Sequence, residues 1–333
     1  MKRFFKVILF VIYLLIIIFT LLEIGVRFWG YSKRYIYDPI YMPFEKACDI
    51  PIIKPNLMNV RALGDIIINT DSLGLRSKIV GEKYDLKKSN EYRIAIIGDS
   101  VTFGYGIKRN EDIFPQVIED ILNQKQSIVK VKMFNYGVPS YSIKEMAATL
   151  KYRVSEVEPD LVLMAIIPED FDLSRVSTID KWGYFANKKR AGFISKNSFL
   201  KLIIRKIHLV YVLNDIRFRL FNKRWYIRDA TLKDDLEESY KYIKQFKNIL
   251  EEYKLPYTIV LLPDTIDSFG SCIIEKLEQD KVPFIDLSTV RNEFTLDQYI
   301  AMKYDLHPSA RVHKRIGELL AEHIFNKYLN RVY

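Results

Sequence analysis

The chain has 333 residues and a mass of 39.3 kDa, which suits one large domain with additions rather than an array of modules. Apolar residues make up 49% and charged residues 28%, enough apolar material to bury a sizeable core and too much for a disordered chain. Two cysteines, Cys48 and Cys272, without C-x-x-C spacing, exclude a disulfide scaffold and a thiolate zinc site. Only four histidines occur (His208, His307, His313, His323), which speaks against a histidine-rich metal site, and no cofactor is expected. The net charge of +10 is uneven: Lys181 to Arg228 carries thirteen Lys or Arg against the single acid Asp215, so the remainder is slightly acidic. A nucleic-acid reader would carry its charge on a folded reading face. The segment therefore reads as a local surface feature, with no nucleic-acid partner expected.

The amino terminus begins with a short basic head, MKRFFK, followed by sixteen uncharged residues, Val7–Leu22. That run alone covers roughly 24 Å as a helix, and the apolar character resumes beyond Glu23 at Ile24, Val26, Phe28 and Trp29. The length is close to that needed to cross a bilayer. No small-x-small cleavage site follows, and Phe28–Trp29 fit an interfacial anchor. Residues 1–30 are therefore expected to be an uncleaved, single-pass signal anchor, with a cleaved signal as the rival reading. Lys2, Arg3 and Lys6 favour a cytoplasmic amino terminus and place the bulk of the chain outside.

Residues 31–90 form a loop-rich lead-in containing Pro39, Pro43, Pro51 and Pro55 and short strand-like runs such as Asp65–Asn69. An alternation follows over 91–333. Arg93–Gly98, Val129–Phe134, Asp160–Ile167, Tyr257–Leu262 and Pro283–Leu287 are short apolar runs of buried-strand type. Asp112–Asn123, Ile143–Val157, Leu232–Tyr253, Ile273–Gln279 and Ala310–Tyr328 carry helical periods. A basic insert interrupts the pattern at 173–230. Its charges alternate with Trp182, Phe185, Phe193, Phe199, Phe218, Phe221 and Trp225, which suits a solvated helical hairpin or a lid against an anionic surface. The alternation predicts an α/β fold with a mainly parallel sheet and helices on both faces.

Ligands of such a sheet bind at the carboxyl ends of its strands. Three polar clusters stand at such ends or before the last helix: Gly98-Asp99-Ser100-Val101-Thr102-Phe103-Gly104, Asn135-Tyr136-Gly137-Val138-Pro139, and Asp305-Leu306-His307-Pro308. Each alone has an ordinary reading, the first two as turns and Asp305 as a helix cap. Their joint occurrence in this order resembles the SGNH/GDSL hydrolase superfamily, with a nucleophile block, a glycine block and an Asp–His block over about residues 92–328. The stretch Asn69–Arg76 is similar to the N-x-x-G-x-R segment ahead of the core in membrane-anchored members. The resemblance implies a flavodoxin-like three-layer sandwich.

Physically, Ser100 on a strand-to-helix turn is a nucleophile once a base takes its proton. His307 suits that base, and Asp305 the group that orients the imidazole and stabilises the imidazolium. Backbone N–H groups of Ser100 and Gly137 are candidate oxyanion donors. His313, six residues further on, reads as an exposed helix residue. Where the resemblance expects an oxyanion-hole asparagine, this chain has Glu169, in Ile167-Pro168-Glu169-Asp170. An ionised carboxylate there repels an oxyanion, while a protonated one needs a raised pKa to donate. The expected activity is serine-dependent hydrolysis or O-acyl transfer through a Ser100 acyl-enzyme. An acylated cell-surface glycan or another ester would be the substrate, with acetyl the first candidate group. The alternative is a non-catalytic, membrane-tethered glycan-binding or assembly protein that keeps the fold.

Overall fold

The computed structural model describes residues 2–47, 50–125, 128–173, 178–186, 203–221, 228–264, 271–303 and 305–330. Cys48 and the stretches 174–177, 187–202 and 222–227 of the basic insert, including Phe193, Phe199 and Trp225, lie outside the described residues. Cys272 is an exposed free thiol.

Helix α1 (Lys2–Trp29) is long and apolar enough to cross a membrane. Its side chains are exposed over most of its length, and only its last turn is covered, where Val26 is buried. The lead-in holds a hairpin, β1 (Tyr41–Pro43) with β2 (Pro51–Ile53), and a small antiparallel sheet of β3 (Val60–Ala62), β4 (Ile66–Thr70) and β5 (Arg76–Ser77). Although rich in turns, this segment is part of the core. Ile40, Tyr41, Ile53, Ala62, Ile66, Ile68 and Leu75 belong to the same buried cluster as one face of the main sheet.

The main sheet contains β6 (Glu91–Gly98), β7 (Lys130–Gly137), β8 (Leu161–Ile166), β11 (Tyr257–Leu261) and β12 (Phe284–Asp286), in the order β12-β11-β8-β6-β7. All four strand pairs are parallel. Between β8 and β11 stands a two-residue ladder, β9 (Thr178–Ile179) with β10 (Phe185–Ala186). Helices along the chain are α2 (Ser100–Phe103), α3 (Phe114–Lys125), α4 (Ile143–Tyr152), α5 (His208–Phe221), α6 (Arg228–Glu252), α7 (Ser271–Gln279), α8 (Leu296–Tyr299) and α9 (Ala310–Ile324).

Alternation along each strand divides the core in two. Ala95, Ile97, Val162, Met164, Ile166, Ile259 and Leu261 face α4, α6 and α7. Ile94, Ile96, Leu161, Leu163, Ala165 and Val260 face α3 and α9. Covered on both faces, the central strands had to be continuous apolar runs. The result is the α/β fold with helices on both faces that the alternation predicted and the flavodoxin-like three-layer sandwich that the resemblance implied, with spatial order 2-1-3-4-5 among the five parallel strands. That order reverses at β6, so the cleft for a ligand opens where β6 and β8 end.

One expectation about the last helix fails. His313 is fully buried: its Nδ1 accepts from Phe114 N–H at 3.2 Å and its ring stacks on Phe114. Burial, then the charges of Arg76 and His307, pull its pKa down to about 3, so the ring is neutral. The sequence showed a polar residue at that place, but α9 turns it toward α3.

Candidate active site

Strand β6 ends at Gly98 and the chain turns at once into α2, whose first residue is Ser100. Asp99 caps this turn, its Oδ1 accepting from Val101 N–H at 2.9 Å. The turn is tight because Gly98 and its register partner Gly137 leave room for α2. A Cβ on Gly98 would lie 2.0 Å from Thr102 Oγ1, and one on Gly137 only 2.4 Å from the backbone nitrogen of Phe103. Glycine at both places is a demand of close approach.

Asp305 and His307 arrive from the other end of the chain. They do not cap the last helix. They lie on β14 (Asp305–Pro308), a strand paired antiparallel to β13 (Ile300–Met302), and Ser309 precedes α9 as its cap residue. The two side chains are two residues apart on one strand and so share a face. Asp305 Oδ1 accepts from the His307 backbone N–H at 3.1 Å and also meets the ring Nδ1. On the opposite side of the ring, Nε2 lies 2.8 Å from Ser100 Oγ. With a carboxylate at Nδ1, that nitrogen carries the proton and Nε2 is the acceptor. Ser100 Oγ also lies 3.0 Å from Asp99 Oδ2, so a single hydroxyl proton has two acceptors within reach. Transfer to His307 is the productive choice.

Burial pushes the Asp305 carboxyl up, but it is outweighed by hydrogen bonds from the His307 ring and backbone and by the charges of His307 and Arg34. Asp305 is held below the usual carboxylate range. The ring of Tyr105 stacks on His307 with centroids 4.0 Å apart. Burial and the neighbouring Asp305 charge keep the Tyr105 phenol protonated. Serine, imidazole and carboxylate in this linear order make a charge-stabilised relay able to activate a hydroxyl and then protonate a leaving group.

The oxyanion side of the site departs from expectation. The Gly137 N–H donates to its own neighbour's side chain, Asn135 Oδ1, at 2.9 Å. Asn135 Nδ2 in turn donates to Thr102 O at 2.8 Å, locking this loop to α2. The Ser100 amide heads α2, where position leaves it no intrahelical acceptor. Glu169 is half-buried on the turn Pro168–Phe171 after β8, and it is Asp170 that turns fully inward. Asp170 Oδ2 accepts from Ile167 N–H at 2.9 Å, while its Oδ1 is buried without a hydrogen-bond partner. Burial, then the charge of Asp99, raises the Asp170 pKa well above the ordinary value. Among the described residues no group of three or more His, Cys, Asp or Glu is placed to hold a metal.

Asp170 makes a prediction about stability. An acid whose folded pKa is raised loses stabilisation as pH rises from the unfolded value toward the folded one, because the folded state then binds the extra proton. Asp170→Asn keeps the acceptor for Ile167 N–H and removes that dependence. The variant should melt a few degrees higher at neutral pH, with the gain growing as pH increases above the ordinary carboxylate range. Thermal melts of both proteins from pH 5 to 8 measure this, and a gain that is flat or negative across the range would refute it.

Sequence reasoning missed three residues that shape the site. Arg76 was visible in the Asn69–Arg76 stretch but without a role. It is buried, and its guanidinium donates to Asn110 Oδ1 (2.7 Å) and to the carbonyls of Phe103 (3.1 Å), Gly104 (2.8 Å) and Ile107 (2.6 Å), fixing the end of the nucleophile helix. Tyr105 and Arg34 carried no local signal.

No family model matches the chain, and no curated protein matches it in sequence. Among solved structures, the chain is similar to a lipolytic protein of the G-D-S-L family from Desulfitobacterium hafniense, at 16% identity and a TM-score of 0.42 over 69% of this chain and 98% of that one. It is also similar to a lipase/acylhydrolase from Enterococcus faecalis, at 15% identity and 0.43 over 71% and 96%. A third is a catalytic mutant of an acetylxylan esterase from Geobacillus stearothermophilus, at 15% identity and 0.41 over 70% and 94%. At such identities and scores none of them lends this chain its substrate. The resemblance to SGNH/GDSL hydrolases stands on the three motifs, the strand order and the meeting of Ser100, His307 and Asp305.

Proposed function

We propose that the chain is a serine-dependent acyl-ester hydrolase or O-acyltransferase, with Ser100 as nucleophile, His307 as general base and then acid, and Asp305 as the orienting carboxylate. The observation that carries this reading is the 2.8 Å approach of His307 Nε2 to Ser100 Oγ across 207 residues of sequence, with Asp305 on the far nitrogen. Attack by Oγ on an ester carbonyl forms the tetrahedral oxyanion while the hydroxyl proton passes to Nε2. Collapse then expels the alcohol, which takes that proton. Water or a sugar hydroxyl accepts the acyl group in the second half, activated by the same imidazole.

The Ser100 N–H is the first oxyanion donor in this reading. Gly137 contributes its amide only by leaving Asn135, so substrate entry must reorder that loop. Glu169, on the turn after β8, is an acid where the resemblance expects an amide. A second reading, a non-catalytic tethered glycan-binding protein, draws on these two departures.

Helix α1 is read as an anchor because its last turn is built into the fold. Glu23 accepts from the His208 and Leu209 N–H groups at the start of α5, and Val26 packs with Leu209 and Val212. Cleavage after α1 would strip α5 of this cover. The catalytic domain then lies outside the cytoplasmic membrane by the placement of Lys2, Arg3 and Lys6. Arg34, which faces Asp305, is five residues beyond Trp29, so its backbone lies within about 18 Å of the end of α1. An acylated glycan or other ester held near the membrane surface suits that position.

Labelling separates the two readings. The full-length protein in detergent should react with a serine-directed fluorophosphonate at Ser100, located by mass spectrometry of the peptide. Ser100→Ala should not react. Absence of wild-type labelling with the fold intact would leave the binding-protein reading.

A further inference from the structure

We propose that Arg34, in the turn directly behind the membrane helix, is a positioning residue for the Asp305–His307 pair. It acts by holding the carboxylate oxygen that the histidine does not use. This rests on the serine-ester reading above.

Arg34 is buried on the short 3-10 turn Lys33–Tyr35. Its guanidinium lies between two aromatic faces, 4.7 Å from the Tyr31 ring and 4.7 Å from the Tyr35 ring. One nitrogen faces Asp305 Oδ2 at 3.9 Å and another faces Asp215 Oδ2 on α5 at 3.6 Å. Asp215 is further held by the hydroxyls of Tyr31 (2.6 Å) and Tyr35 (3.1 Å). The division of labour on Asp305 is clear. Oδ1 takes both N–H groups of His307, and Oδ2 faces Arg34, with the Tyr105 hydroxyl as a further hydrogen-bonding neighbour of the carboxylate.

A second connection runs through the backbone. The Arg34 carbonyl accepts from the Tyr105 hydroxyl at 3.3 Å, and the Tyr105 ring is the one that stacks on His307. One residue therefore braces both sides of the imidazole. A carboxylate with one oxygen unopposed can rotate about its last bond and carry the imidazole away from Ser100. A charge that fixes the second oxygen removes that freedom.

Arg34 also balances charge. The groups facing His307 are Asp305, Ser100 and Tyr105, with Asp99 beyond Ser100 and the buried Arg76 and His313 behind. Removing the Arg34 charge leaves Asp305 to act on the imidazole with less opposition, which favours imidazolium.

The test uses full-length protein in detergent. Hydrolysis of p-nitrophenyl acetate is followed from pH 5 to 9, with active sites counted by fluorophosphonate titration so that only folded protein enters kcat. Arg34→Gln should lose about tenfold to a hundredfold in kcat with KM within about twofold. Its acid limb in kcat/KM should move to higher pH by roughly half a unit or more. Arg34→Lys keeps the charge without the planar fork and should hold the acid limb near its wild-type place while recovering part of kcat. Asp215→Asn, which removes the other counter-charge of Arg34 and keeps the guanidinium facing Asp305, should not move the acid limb to higher pH.

An Arg34→Gln profile that overlays the wild type, or equal losses in the Gln and Lys variants with an unmoved acid limb, would overturn the positioning role. A wild-type protein that neither hydrolyses the ester nor labels at Ser100 would instead remove the serine-ester reading, and this inference with it.

Discussion

Ser100→Ala and His307→Ala should each lower kcat on an acetyl ester by about 10³–10⁶, and the double variant should lose little more than either one. The reason is geometric. In the proposed mechanism Ser100 Oγ forms the bond to the acyl carbon, and its proton goes to His307 Nε2, 2.8 Å away. Without the imidazole the hydroxyl is left to Asp99 Oδ2 at 3.0 Å, which holds the proton but lies at the start of α2 and has no role in delivering it to a leaving group. Asp305→Asn should fall by about 10⁴, since an amide at Nδ1 admits the wrong tautomer and leaves the imidazolium without its counter-charge. Steady-state kinetics with purified variants of wild-type stability measures all of these. Additive losses in the double variant, or near wild-type turnover in either single one, would remove the relay.

Arg76→Met should destabilise the protein by about 2–4 kcal/mol, since it leaves buried carbonyls without a donor at roughly 1–3 kcal/mol each while sparing the cost of burying a charge. The methionine fills much of the space, but the carbonyls of Phe103, Gly104 and Ile107 lose their donor in the interior. Arg76→Lys should recover only part of this. One ammonium cannot reproduce a planar fork that reaches three carbonyls and Asn110 together. Because those carbonyls end the helix that Ser100 begins, labelling of Ser100 by fluorophosphonate should slow alongside the loss of stability. Chemical denaturation together with labelling rates measures both. A Met variant within about 1 kcal/mol of wild type would show that the guanidinium is not what fixes this turn.

The central strands were legible because both of their faces are buried. A strand covered by helices on each side has no solvent face to encode, so RIAIIG and DLVLMAII read as unbroken apolar runs. Observed strand boundaries over Glu91–Gly98 and Leu161–Ile166 fall within two residues of those runs. Helix α3 and helix α6 were equally plain from their period. Helix Ile143–Val157 ends earlier than expected, at Tyr152, and passes into a 3-10 turn. Ala310–Tyr328 changes to a π-turn after Ile324. Side-chain period does not distinguish these tighter and looser turns.

Chemistry-bearing residues were legible where a backbone demand and a side-chain demand coincide. Gly98 and Ser100 mark a turn that must be narrow at the end of an apolar strand, and Asp305 with His307 form a short polar cluster just before the last helix. What the sequence left open depends on partners brought together from far along the chain. The β13–β14 ladder is too short to show a period, so Asp305 looked like a helix cap. His313 looked exposed because nothing in α9 announces that α3 covers it. Local composition made Gly137 a free amide donor, and only folding placed Asn135 Oδ1 on that amide.

By itself, then, the sequence determined the apolar helix and the strand order's raw material, and it singled out Ser100, Asp305 and His307, which the fold brings together, since each is a local pattern of burial or of turn geometry. The tertiary structure alone decided that the loop-rich lead-in joins the core, that Arg76 fastens the nucleophile helix, and that Arg34 stands behind Asp305. The last two are contacts between segments 27 to 271 residues apart, made by buried arginines whose partners include backbone carbonyls and a carboxylate oxygen. A carbonyl is present at every residue and carries no sequence signature, so such a contact exists only once the chain has folded around it.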